Sequence, residues 1–366
     1  MNTKLYEIAV RMIPGVGDVL VKQLISYCGS AEAVFKTPKG KLLRIPGIGE
    51  KTAEAIKRAN LLQEVEAELE KNAKLGIRVV HYTEKAYPEK LKHIANAPSI
   101  LYFKGNSTLN FNKVVSIVGT RKSTTYGKDV TENIVEALSK YSDLTIISGL
   151  AYGIDIAAHR ACLKHSIPTI GVLANGLDTV YPKVHTQTAE QMCENGGLLT
   201  ENKLGTLPDA PRFPERNRIV AGMADAVIVI EAAVKGGALI TANIAHSYDR
   251  EVFAVPGNLG VRSAEGCNRL IRDYKAHIFT AVEDLEYVMQ WNLQQEHVPK
   301  KKVNFDLLPL NQKIIAGILS EGKKHIDEIS FRSQIPINQV ASTLLEMEFE
   351  GLIRPLPGKQ FSLISN

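Results

Sequence analysis

The chain has 366 residues, 45% of them hydrophobic and 23% charged, a balance that excludes wholesale disorder and leaves room for two or three domains of about 100–200 residues. No apolar run approaches the roughly 20 residues that cross a bilayer, and the N-terminus lacks the apolar core of a signal peptide. A cytoplasmic protein without membrane contact is expected. Its four cysteines, Cys28, Cys162, Cys193 and Cys267, form no C-x-x-C pair, so reduced thiols, no metal and no cofactor are expected.

The net charge is +5, and residues 1–60 hold ten Lys/Arg against five Asp/Glu, enough to account for the whole excess. A local basic surface suits a polyanion. The same stretch carries a repeat: Ile13-Pro14-Gly15-Val16-Gly17 recurs as Ile45-Pro46-Gly47-Ile48-Gly49, 32 residues on. Helical patterns follow each copy, at Asp18–Tyr27 and Glu50–Leu62. Pro and Gly enforce tight turns, and the glycines leave N–H groups at a helix start, where the dipole favours phosphate. This resembles a tandem helix-hairpin-helix unit. Gly15, Gly17, Gly47, Gly49 and Lys51 are then the candidates for contact with a duplex backbone; the alternative is a helical protein-interaction module. A further helix, Glu64–Leu75, closes a predicted domain over residues 1–75.

From Ile77 the pattern changes to strands, first Ile77–Tyr82 and Ile100–Gly105. Apolar runs then alternate with helical stretches: Val114–Val118, Thr145–Ser148, Thr169–Leu173, Gly197–Thr200, Ala226–Ile230 and Glu251–Val255. Buried strands separated by helices imply an α/β domain, a Rossmann-like, doubly wound, mostly parallel sheet, spanning residues 76–298. In such a sheet the carboxyl ends of the strands form the ligand crevice. After Val298-Pro299-Lys300-Lys301-Lys302, read as a basic linker, three helices (Asn311–Leu319, His325–Phe331, Ile337–Glu350) and two strands (Gly351–Arg354, Gln360–Leu363) give a winged-helix pattern over 299–366. Its presumed recognition helix carries Glu346, Glu348 and Glu350 and no Lys or Arg, which favours protein contact over insertion into a DNA groove.

The crevice lacks a P-loop, a G-x-G-x-x-G turn and a G-x-S-x-G elbow. Instead it gathers small turns and cations. Gly119, Thr120 and Arg121 follow the first central strand; Ser148 and Gly149 end the next, with Asp155 placed to cap the following helix. Lys183 follows Tyr181-Pro182. Arg212, Phe213, Arg216, Asn217 and Arg218 put an aromatic among three arginines, with Asp225 or Glu231 as structural ion-pair alternatives. Lys235, Gly236 and Gly237 open a helix. Cations and loop N–H groups hold phosphates, and an aromatic between them stacks an unpaired base, so the set fits single-stranded nucleic acid.

Ordered motifs over roughly residues 80–285 resemble the DNA-processing protein A family (DprA, also called Smf). They are Ile117–Arg121 with Tyr126-Gly127, Ser148–Asp155 with Ala158-His159, Asn175–Asp178 with Tyr181-Pro182, Phe213–Gly222, Gly237–Ala242, Arg250–Gly257 and Gly266–Ile271. The resemblance implies a single-stranded-DNA binder that dimerises through its Rossmann domain and loads RecA recombinase during natural transformation, with no catalytic residues. It carries the pocket to Arg121, Lys183 and Phe213–Arg218. This chain departs from many relatives at Lys235-Gly236-Gly237, where they read Ser-Gly, at Arg272–Lys275, and just before Phe213, where Arg212 stands in for their basic residue. Two alternatives remain: a phosphoribohydrolase-like enzyme using Lys235-Gly236-Gly237 and Glu231, and a nucleotide-regulated scaffold.

Overall fold

The structure is a computed structural model that describes residues 2–291 and 308–364; the sequence's basic linker falls outside the described residues. Six helices come first: α1 (Asn2–Met12), α2 (Asp18–Cys28), α3 (Ala31–Lys36), α4 (Lys39–Leu42), α5 (Glu50–Arg58) and α6 (Leu62–Lys74). The two hairpins are backbone copies of one another. Gly15 and Gly47 both sit at φ +81°, a left-handed turn that favours glycine, and Gly17 and Gly49 are the extended N-caps of α2 and α5. Ile13, Val16, Ile45 and Ile48 point inward and fix both turns on one small core. The helix expected over Glu50–Leu62 is two: Ala59 turns extended and α6 begins at Leu62.

The central domain then runs β1 (Ile77–His81), α7 (Glu89–Lys92), β2 (Ile100–Lys104), β3 (Lys113–Val118), α8 (Thr125–Leu138), β4 (Leu144–Ser148), α9 (Ile154–Lys164), β5 (Thr169–Val172), α10 (Thr186–Asn195), β6 (Gly197–Thr200), α11 (Arg212–Met223), β7 (Ala226–Val229), α12 (Gly237–Ser247), β8 (Glu251–Ala254), α13 (Glu265–Arg272), β9 (His277–Ile278) and α14 (Val282–Met289). One nine-stranded sheet has the order β1-β2-β6-β5-β4-β3-β7-β8-β9. β1–β2 and β2–β6 pair antiparallel; the other pairs are parallel. Strand alternation feeds two cores: Val114, Val118, Val227 and Val229 face α11 and α12, while Val115, Ile117, Ala226 and Ile228 face α8 and α9. The chain steps outward from β3 to β6, then returns to place β7 on the other side of β3. The strand order therefore reverses at β3, which makes its carboxyl end the switch point.

Ile8, Ala9 and Val65 of α1 and α6 share a core with Ile77, Val79, Ile100 and Tyr102, so the helical unit packs on the antiparallel end of the sheet. The winged helix comprises α15 (Leu310–Leu319), β10 (Lys324–His325), α16 (Ile326–Ser333), α17 (Ile337–Phe349), β11 (Ile353–Leu356) and β12 (Gln360–Leu363), with strand order β10-β12-β11. It meets the central domain through a 2.9 Å Lys359–Asp249 ion pair and a His93–His325 stack. Among the described residues no helix is long and apolar enough to cross a membrane.

Candidate nucleic-acid interface

At the switch point lies a cleft of about 730 Å³, walled by the turns after β3, β4 and β7 and by one face of α11. The turn after β3 is pinned from beneath. Thr120 donates its N–H to the Glu231 carbonyl (2.7 Å), and its own carbonyl accepts from Ile154 (3.3 Å). Gly153, at φ +81°, permits that approach: a Cβ there would lie 2.1 Å from the Thr120 oxygen. The Glu231 carboxylate turns away from the cleft and accepts from the Thr124 N–H and hydroxyl, holding the start of α8. It therefore lies outside the cleft in which the hydrolase alternative would use it.

Arg121 is exposed, and its guanidinium lies 5.1 Å from the Phe213 ring centre. Tyr181, also exposed, tilts against the same ring at 5.9 Å. The three make an aromatic–cation platform at the mouth of the cleft. Opposite, α12 begins at Gly237 with Gly236 as its extended N-cap, and no neighbouring atom lies within 4 Å of a Cβ built at Gly237. Lys235, Gly236 and Gly237 thus present a helix N-terminus and a cation to the same space. Asn217 donates to the Gly237 carbonyl at 3.4 Å and ties the two walls together.

The stretch Arg212–Arg218 is helical, and helical periodicity sorts it. Phe213, Arg216, Asn217 and Val220 stand at i, i+3, i+4 and i+7 and line the cleft. Arg216 is a wall residue, not a surface one: it is buried, and Nη1 donates to the carbonyls of Gly149 and Val172. Gly149 is required there, since a Cβ would sit 2.0 Å from that nitrogen. Asp155 is buried beside Arg216. Burial raises its pKa, an effect that Arg216 offsets. The expected capping role of Asp155 does not hold, because Gly153 is the N-cap of α9 and Asp155 lies inside the helix.

Arg218 faces the helical unit, bonding Glu201, the Asn96 carbonyl and, at 3.5 Å, Asp18. Neither Asp225 nor Glu231 is its partner; Asp225 pairs with Lys90 instead. Ser148 is buried and donates to the Ile117 carbonyl. Lys183 is exposed in a 3₁₀ turn beside the cleft, and Arg212 bonds Asn202 on the far side of the segment 206–212. The cleft therefore gathers Gly119, Thr120, Arg121, Gly149, Phe213, Arg216, Asn217, Lys235, Gly236 and Gly237, and leaves Ser148, Lys183, Arg212 and Arg218 outside its lining. Tyr181, which the sequence offers only within the Tyr181-Pro182 motif, is a lining aromatic, and its place two residues before Lys183 is the signal for it.

Behind the cleft, burial holds the His159 imidazole down at about 3, with Thr169 2.7 Å from Nδ1. Burial also raises the Cys162 and Cys267 thiols to about 12, so both are inert. No cluster of metal-ligating side chains occurs among the described residues.

Fold and site together define a Rossmann-like α/β protein with a cation- and aromatic-lined cleft at its switch point, flanked by tandem helical hairpins and a winged helix. Residues 78–290 match the family profile described as DNA recombination-mediator protein A, 303–359 the DprA winged helix domain, and 8–59 a SAM-like helix-hairpin-helix tandem. The chain belongs to the DNA recombination-mediator protein A family. Protein Smf of Synechocystis sp. is 33% identical to it over 97% of this chain and 98% of its own. DNA processing protein DprA of Bacillus subtilis is 36% identical over 71% and 90%. The X-ray structure of DprA from Streptococcus pneumoniae superposes with a TM-score of 0.68 at 31% identity, over 77% of this chain and 97% of that one. DprA from Helicobacter pylori, whose structure concerns its single-stranded DNA binding mode, superposes at 0.53 and 27% identity, over 59% and 96%.

Proposed function

We propose that this protein binds single-stranded DNA in the switch-point cleft, protects incoming strands and loads RecA recombinase on them during natural transformation. The observation that carries the reading is the Phe213 platform between Arg121 and Tyr181, set against the open start of α12. One side stacks a base without reading its identity, and the other holds phosphate. The likeness to the Helicobacter pylori protein supports the choice of ligand.

In this reading Arg121, Lys235 and the backbone at Gly119, Thr120, Gly236 and Gly237 contact the strand, and Lys183 meets it outside the cleft. Arg216, with Gly149 and Ser148, shapes the wall, and Asn217 and Arg218 position α11. The protein acts in the cytoplasm as a homodimer through its Rossmann domain, without a cofactor. Gly47, Gly49 and Lys51 of the second hairpin are the candidates for duplex contact, and Gly15 and Gly17 of the first are candidates for contact with a DNA backbone.

Fluorescence anisotropy with a single strand and with its duplex, titrated across salt, tests the binding step. Tighter, sequence-tolerant and salt-sensitive binding of the single strand is expected. Equal or tighter duplex binding would overturn it. For the loading step, RecA filament formation on strands precoated with single-strand-binding protein should accelerate when the protein is added, and unchanged kinetics would refute it.

A further inference from the structure

The exposed tip of the first hairpin faces the central sheet. A second hollow, about 680 Å³, separates it from the central sheet, with Pro14, Gly15 and Gly17 on one wall and Lys203, Thr206 and Arg212 on the other. Only the segment 206–213 divides this hollow from the cleft. Pro208, Asp209, Ala210 and Phe213 face the cleft, whereas Thr206 and Arg212 face the hollow. Arg212 and Phe213 are successive residues in the first turn of α11, so the platform and the hollow adjoin.

The hairpin wall is rigidly held. Asp18, the first residue of α2, accepts from Arg11 (3.0 Å), from the Ser99 N–H (2.9 Å) and from the Ser99 hydroxyl (2.8 Å). Arg11 also reaches the Val16 carbonyl at 3.3 Å. The opposite wall brings two cations: Lys203 is well exposed and pairs at 4.0 Å with Glu64, which also lines the hollow, and Arg212 bonds a neutral amide. Glu201 also lines the hollow, but its carboxylate is engaged by Arg218. A hollow of this size admits nucleotide units.

We infer that this hollow continues the cleft and holds the sugar–phosphate backbone of a single strand that leaves Phe213 over Arg212, so that the first hairpin grips single-stranded DNA. The inference rests on the single-strand reading of the cleft.

Gly17→Asp tests it on the full chain. Gly17 is an extended N-cap at φ −89°, with nothing within 4 Å of a Cβ, so aspartate fits and caps α2 better than glycine does. The variant should melt no lower than the parent while placing a carboxylate where the strand's phosphates would lie. Affinity is measured for a single strand of about 4 nucleotides, which fills the cleft alone, and for one of about 16. Gly17→Asp and Lys203→Glu should each weaken the long strand roughly tenfold and leave the short one unchanged. Lys203→Glu should also flatten the salt slope for the long strand by about 0.7. Arg121→Ala should weaken both lengths. Loss at both lengths from Gly17→Asp, or at neither while Arg121→Ala weakens both, overturns the continuation. Insensitivity of both lengths to Arg121→Ala overturns the cleft reading itself.

Discussion

Replacing Arg121 with alanine removes two interactions from a bound strand. Its guanidinium is exposed, has no carboxylate at ion-pair distance among the described residues, and lies 5.1 Å from the centre of Phe213. A charge-assisted hydrogen bond to phosphate contributes about 1.5–3 kcal/mol, and the lost cation–aromatic support of the platform adds about 0.5–1 kcal/mol. Taken as about 2–3 kcal/mol together, the substitution should weaken a single strand by roughly 30- to 150-fold at 25 °C. One fewer neutralised phosphate should lower the slope of log affinity against log salt by about 0.7. Because the side chain carries no buried contact, the melting temperature should stay put, and that separates lost binding from lost fold. Anisotropy titrations at several salt concentrations, on the variant and the parent, measure both quantities. A loss under twofold with an unchanged slope would show that the strand does not cross this end of β3.

Phe213→Ala should cost about 1–3 kcal/mol of single-strand affinity with little change in salt slope, since stacking rather than charge is lost; anisotropy reads both. Gly149→Ala puts a methyl 2.0 Å from Arg216 Nη1 and 2.6 Å from an Asp155 carboxyl oxygen, and should destabilise by about 1–3 kcal/mol in urea unfolding. Gly236→Ala meets only one atom, at 4.0 Å in extended backbone, and should leave that stability within about 0.5 kcal/mol. His159 is held at about 3 when folded against 6.5 when free, so the unfolded chain binds a proton first as pH falls. Its contribution is complete above 6.5 and is lost towards 3, so His159→Gln should flatten the acid side of the stability–pH curve. Glu201 acts in the opposite sense. Burial raises it from 4.5 to about 7, so stability falls as pH rises across that interval, and Glu201→Gln should remove this decline.

The parallel strands β3 to β8 were legible because each is a short apolar run bounded by a turn and a helix, and the sheet buries both of its faces. The repeated hairpins were legible because Gly15 and Gly47 answer one backbone demand twice. Strand β9, two exposed residues long, left no apolar run to find. In the site, composition identified the arginines of α11 but not their directions. Read as a loop, Arg212, Arg216 and Arg218 look equivalent. Read as a helix, they diverge into the hollow, the cleft wall and the Glu201–Asp18 network. That network is long-range, joining residues 18, 201 and 218, and no local pattern announces it. The same holds for Glu231, whose partner Thr124 lies 107 residues away.

The most direct test of the central claim is where a bound strand touches the protein. A single strand carrying a photoactivatable base is cross-linked to the full chain, digested with trypsin and mapped by mass spectrometry. Cross-links are expected on peptides containing Phe213 and Tyr181, competed away by unlabelled single strand. Cross-links confined to the helical hairpins or the winged helix, with none at Phe213 or Tyr181, would contradict it.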